Sequence, residues 1–218
     1  MNKNLIETVA AGVVRRLLGQ CVEVEASGRH VHLSEEAVEA LFGKGHALTR
    51  KTGLSQPGQY ACLERIAVQG PKKTMENVVV LGPERAQTQV EISATDALTL
   101  GIKAPVRMSG ELAGTPGARL IGPRGVFDIG EGVIVAKRHI HITPEDASRL
   151  GIADNEDVDV TVFGERAATF HGVTVRVSPL FATFMHIDYD EANACGHVKG
   201  MVGFIQKARR PAWGRGHE

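Results

Sequence analysis

From Cys21 onward the apolar residues fall in short Val/Ile/Leu-rich runs: CVEVEA, NVVVLG, TQVEIS, GVIVAKRHIHIT, VDVTVFG and VTVRVS. Gly and Pro turns such as QPGQ, LGPER, GTPG and IGPRG separate them. Runs of this length and punctuation predict a mainly β architecture of barrels or sandwiches, without the long crossover helices of a doubly wound sheet. Ahead of them, residues 4–18 (NLIETVAAGVVRRLL) place Leu5, Val9, Val13, Val14 and Leu17 near one stripe at helical spacing, with Gly19 as a stop. This predicts an amphipathic N-terminal helix, one that either packs on the body or a twin subunit or binds a partner surface. The last residues from Lys207, KARRPAWGRGHE, carry little apolar pattern and read as a loose basic tail.

One unit recurs along the chain. GRHVHLSEEAVEALFG at 28–43 and KRHIHITPEDASRLG at 137–151 each carry His-x-His in a β-like run, then a Ser or Thr suited to capping a helix, then an acidic, Ala-containing turn closed by Gly. Weaker copies are QVEISATDALTLG at 89–101 and FMHIDYDEANACG at 184–196. In all four, a His or Glu sits two residues before the expected cap: His32, Glu91, His141 and His186 ahead of Ser34, Ser93, Thr143 and Asp188. Duplication of this kind lets equivalent strand ends, distant in sequence, converge on one place.

Side chains alternate faces along a strand, so His30 and His32 point the same way while Val31 enters the opposite face, and His139, Ile140 and His141 repeat the arrangement. Two imidazoles from one strand suit one metal. Imidazole and carboxylate without a second soft ligand favour zinc, with manganese, iron or nickel as lesser options. The set His30, His32, Glu91, His139, His141 and His186 exceeds the four ligands of a closed structural site, and divides into two metals with open positions, which implies catalysis. His46, His171, His197 and His217 lack the repeat context and read as ordinary packed or surface residues. Arg85, six residues before Glu91, reads from the sequence as a solvated side chain or as a holder of phosphate or carboxylate through two parallel hydrogen bonds. Arg29 and Arg138 precede the His-x-His pairs and face away from them by alternation, which suggests surface or structural roles.

The 218 residues suffice for two domains of about a hundred residues each. Hydrophobic residues at 43% and charged residues at 23% are the ordinary globular range. Lys plus Arg and Asp plus Glu stand at 25 each, so no global field draws the protein to nucleic acid or an anionic membrane, and any anionic ligand is caught locally. No apolar run approaches the roughly 20 residues of a membrane span and no signal peptide is evident, which predicts a cytoplasmic protein. Cys21, Cys62 and Cys195 lack CxxC spacing and read as reduced thiols, Cys195 drawing notice because it follows the last copy of the unit.

Taken in order, GRHVHLS, LSQPGQYA, ENVVVLGPERAQTQVEIS, LGIKAPVR, EGVIVAKRHIHITPEDA and MHIDYDEANA resemble the phosphate propanoyltransferases, the PduL-type phosphotransacylases of bacterial microcompartments. The resemblance runs from Val22 to about Ala208, and departs at Tyr189, bulkier than the small residue usual there. It implies two small β-barrel domains with short capping helices and a di-zinc site between them, residues 21–28 plus 137–208 forming one and 29–136 the other. Residues 1–20 hold the helix and 209–218 the flexible tail. By the same resemblance His30, His32 and Glu91 hold one zinc, which takes the coenzyme A sulfur. His139, His141 and His186 hold the second, and Arg85 contacts phosphate. Phosphate attacks acyl-CoA directly and gives acyl phosphate and coenzyme A, with propanoyl or acetyl as the acyl group and no covalent acyl-enzyme. A homodimer, and encapsulation by microcompartment shell proteins through residues 4–18, are further implications.

Two other readings fit the residues. A di-metal hydrolase would attack with metal-bound hydroxide and need no phosphate. A non-enzymatic, metal-stabilised interaction module would unfold on chelation and show no turnover.

Overall fold

The computed structural model describes residues 19–208; the helix expected over 4–18 and the tail beyond residue 208 lie outside the described residues. In chain order the elements are β1 (Cys21–Ala26), β2 (His30–His32), α1 (Glu35–Phe42), β3 (Arg50–Gly53), β4 (Tyr60–Gln69), β5 (Thr74–Gly82), β6 (Gln89–Ile92), α2 (Ala94–Leu100) and β7 (Val106–Arg107). There follow β8 (Ala118–Ile121), β9 (Val126–Ile129), β10 (Val133–Ala136), β11 (His139–Ile142), α3 (Pro144–Leu150), β12 (Asp157–Val162), β13 (Ala168–Val177), β14 (Phe184–Ile187), α4 (Tyr189–Cys195) and β15 (Val202–Lys207). Lys207, expected to open the tail, instead ends the last strand. The chain divides into two compact units, one comprising the segment up to Glu25, Arg138–His186 and the segment from Asn193, the other Ala26–Lys137 with Ile187–Ala192.

The first unit closes as a six-stranded barrel in the order β1-β14-β11-β13-β12-β15. Val22, Val24, Ile140, Ile142, Val158, Val160, Val173, Val175 and Met185 are among its buried apolar side chains. β1 joins β15 antiparallel, Cys21 facing Phe204 and Glu23 facing Val202.

The second unit is a curled half-barrel whose strands run β7-β10-β6-β2-β5-β4-β8-β9, with β3 paired to β4. Val31, Leu33, Val38, Leu41, Val78, Val80, Val90, Leu100 and Leu120 fill its core. The protein is mainly β, as the spacing of its apolar runs predicts.

The sequence repeat is a repeat of pairing. β2 runs parallel to β5 and antiparallel to β6, with His30 opposite Glu91 and His32 opposite Gln89. β11 runs parallel to β13 and antiparallel to β14, with His139 opposite His186 and His141 opposite Phe184. Val31 and Ile140, between the paired histidines, are fully buried. Each copy then enters a short helix through the expected cap. Ser34 accepts from Ala37 N–H, Ser93 from Asp96 N–H and Thr143 from Asp146 N–H. Asp188 accepts from Glu191 N–H at 2.8 Å, while Glu191 accepts from Asp188 N–H at 3.1 Å. These cap bonds satisfy helix-end donors that would otherwise go unpaired, and stop each strand at the same place.

Candidate functional site

In the half-barrel unit, β2 and β6 bring His30, His32 and Glu91 together, one donor atom of each lying within 4.8 Å of the others. Their exposures are 5%, 3% and 7%, so little water screens them. His30 Nε2 stands 3.5 Å from Glu91 Oε2, and His32 Nε2 stands 3.9 Å from Glu91 Oε1. The Nδ1–H of His30 donates to the Gly28 carbonyl at 2.7 Å, which turns Nε2 toward Glu91. The Tyr189 ring covers Gly28 so closely that a Cβ added there would meet it at 2.6 Å.

Charge within this trio is strongly ordered. Burial opposes ionisation of Glu91, yet the charge and hydrogen bond of His30, then His32 and Ser109, hold it well below the ordinary carboxylate range. Burial, with His30 and Arg85 beside it, keeps His32 far below the usual imidazole value, so it is neutral. Burial alone would lower His30 as well, but the adjoining Glu91 outweighs it and raises the net value.

The barrel unit assembles His139, His141 and His186 to the same 4.8 Å limit, from β11 and β14. Ring centroids lie 4.6 Å apart for His139 and His141, 5.2 Å for His139 and His186, and 5.0 Å for His141 and His186. Phe181 packs on His141 with centroids 4.2 Å apart. Glu25 Oε2 lies 3.7 Å from His186 Nδ1.

Arg85 lies in the loop after the cis Gly82–Pro83 bond, its backbone N–H donating to Leu33 O at 2.9 Å and its Nη1 to Ser109 Oγ at 3.1 Å. Ser109 and Gln89 are polar neighbours of Glu91 that the motif reading passes over. Gln89 nevertheless carries a signal, because it occupies in QVE the place that His30 occupies in HVH.

The residues read as structural have structural partners. Arg29 forms two contacts with Asp96, at 3.0 and 2.8 Å, and Arg138 donates twice to His171 O. His46 bonds Glu64, His171 faces Asp159 at 3.1 Å and His197 bonds Val24 O, while His217 lies outside the described residues. None of the three cysteines forms a disulfide; Cys62 and Cys195 are buried.

Residues 23–198, well over half of the chain, match the sequence profile described as phosphate propanoyltransferase. The chain belongs to the phosphate propanoyltransferase family. It is thus an acyltransferase. A phosphate propanoyltransferase of Listeria monocytogenes is 58% identical over 208 residues, 95% of this chain and 98% of its own length. That of Clostridioides difficile is 53% identical over 206 residues, 94% and 99% of the two chains. That of Salmonella typhimurium is 46% identical over 197 residues, 90% and 93%. Among the described residues no helix is long and apolar enough to cross a membrane.

Proposed function

We propose that this chain interconverts acyl-CoA plus phosphate with acyl phosphate plus coenzyme A by direct attack, one zinc being held by His30, His32 and Glu91 and a second by His139, His141 and His186. The observation that carries the reading is that equivalent strand pairs in the two units each gather three donors, all buried but His186, one fewer than a closed structural zinc shell uses. The first set fits a divalent ion on three counts. Its donors are 3.5 and 3.9 Å apart, long for hydrogen bonds and near the ~3.3 Å that separates ligands around a tetrahedral ion with bonds of about 2 Å. Its carboxylate is ionised and His32 is neutral, the protonation states that a metal requires of these two ligands; His30, which Glu91 holds toward protonation, would lose its proton on binding the ion. Gly28 supplies the carbonyl that metal-bound imidazoles commonly find behind them.

When bound, the metals would supply Lewis-acid stabilisation of developing negative charge and a favourable environment for a thiolate. The remaining chemistry belongs to the substrates and to the chain. Arg85 offers a planar guanidinium that orients phosphate for attack on the thioester carbonyl carbon. The new carbon–oxygen bond forms, the carbon–sulfur bond breaks, and sulfur leaves with the electron pair. No cysteine is needed as a nucleophile. Burial, with Glu64 and Glu84 nearby, pushes the Cys62 thiol up to about 11, so it carries negligible thiolate at neutral pH.

Thiol release from a panel of acyl-CoAs, with and without phosphate, on protein of measured metal content tests the reading. Release should require phosphate, with two zinc ions per chain, and the panel reads out the propanoyl or acetyl preference. His30→Ala and His139→Ala should each lose about one equivalent and slow turnover at least ~100-fold. Release that proceeds without phosphate would instead identify a hydrolase. Occupancy of a microcompartment through residues 4–18, and a homodimer, are carried as proposals by the family likeness alone.

A further inference from the structure

Within the half-barrel unit one hydroxyl joins Arg85 to Glu91. Residues Met108 to Glu111 form a turn closed by Glu111 N–H donating to Met108 O at 3.0 Å, with Gly110 at φ 97°. Gly110 is the second central residue, where a type II turn demands positive φ. The central peptide N–H of this turn, that of Gly110, donates to Gln89 Oε1 at 2.8 Å. Because a backbone donor occupies the amide oxygen, the orientation of the Gln89 side chain is fixed, and its Nε2 must face the other way. There it donates to Glu91 and, at 2.9 Å, to Ser109 Oγ. Ser109 Oγ also accepts from Arg85 Nη1 at 3.1 Å. Gln89 Nε2 therefore bridges the Ser109 hydroxyl to the Glu91 carboxylate, one amide group donating to both.

We propose that Ser109 is a positioning residue: its hydroxyl, through the Gln89 amide, ties the Arg85 guanidinium to the Glu91 carboxylate, so that phosphate capture and metal capture in this unit are coupled. A guanidinium on a long flexible stem binds an anion well only if it is held in place beforehand, and a carboxylate ligand holds a metal well only if its lone pairs are fixed. Ser109 serves both through one oxygen, which accepts from Arg85 and from the Gln89 amide that also holds Glu91. The inference rests on the reading of Arg85 as the phosphate-holding residue and of Glu91 as a metal ligand. A merely structural Ser109, serving the turn alone, would move stability and leave both affinities untouched.

The test compares Ser109→Ala, Ser109→Thr, Arg85→Lys and the Ser109→Ala/Arg85→Lys double variant of the full chain, by steady-state kinetics and by chelator competition for zinc. Ser109→Ala should raise the KM for phosphate about tenfold, leave the KM for acyl-CoA within roughly twofold, and weaken one of two zinc equivalents about tenfold. Ser109→Thr, which keeps the hydroxyl, should restore both. In the double variant the phosphate KM should be no worse than in Arg85→Lys alone, because the two residues act as one unit. Additive effects, or a Ser109→Ala enzyme with wild-type phosphate KM and zinc affinity, would overturn the coupling. Glu91→Gln separates the levels. If it keeps both zinc equivalents, the metal reading fails and this inference with it; if it loses one while Ser109→Ala behaves as wild type, this inference fails alone.

Discussion

Glu91 is a carboxylate buried among imidazoles, and a buried charge is tolerated only when its lone pairs are met. His30 faces its Oε2, and His32 its Oε1, to which Gln89 donates as well. Gln89 is the least replaceable of these. Gln89→Leu would leave the Gly110 N–H without its acceptor and remove a donor from Glu91, and should cost about 1–3 kcal/mol in the urea unfolding of metal-free protein. Unchanged unfolding would show that solvent replaces both contacts. The histidines and Glu91 were legible because alternation along a strand turns His-x-His into a shared face. Ser109 was not legible, since a Ser-Gly pair reads as turn chemistry, and only the fold shows that this turn faces Gln89.

At the scale of elements, the four capped units could be read because each one obeys local rules: an alternating strand end, a capping side chain, and a glycine past the last helical turn. β4 could not be read in this way. Its register against β5 shifts between Ala61 and Arg65 and again between Ile66 and Val68, so the alternation that would advertise a strand is broken. The run GVIVAKRHIHIT is one apolar pattern but two strands, β10 and β11, because the chain passes from one unit to the other at Lys137–Arg138. β4 also anchors the segment before it. Glu64 accepts from His46 Nε2 at 2.9 Å and from Thr49 N–H at 3.0 and 3.1 Å. Burial works against this carboxylate's ionisation, but these bonds and its own backbone lower its net value. A depressed folded value means stability that is present above the unfolded value and lost as pH falls through the folded one. Wild type should therefore exceed Glu64→Gln by about 1–2 kcal/mol at pH 7, with the gap closing toward pH 3, as read by urea midpoints at each pH. A gap that stays constant with pH would assign the effect to packing.

For the whole molecule, the family likeness covers nearly the full length, while residues 1–18 stand outside both the family profile and the described structure. Deleting residues 1–20 should leave phosphate-dependent thiol release intact and abolish co-purification with microcompartment shells; retained co-purification would refute an address in this segment. The chain passes between its two units four times, so neither unit is one stretch of sequence. The pairing of β1 with β15 carries this furthest, for it joins Cys21 to Phe204. As the polypeptide leaves the ribosome, the half-barrel's own strands are complete once Ala136 has emerged, whereas the barrel must wait for almost the entire message to be translated. Until then β1, carrying Val22 and Val24, keeps one edge open even after β14 has emerged, a stretch for chaperones to shield, and a premature stop anywhere before residue 202 would leave that edge permanently without β15.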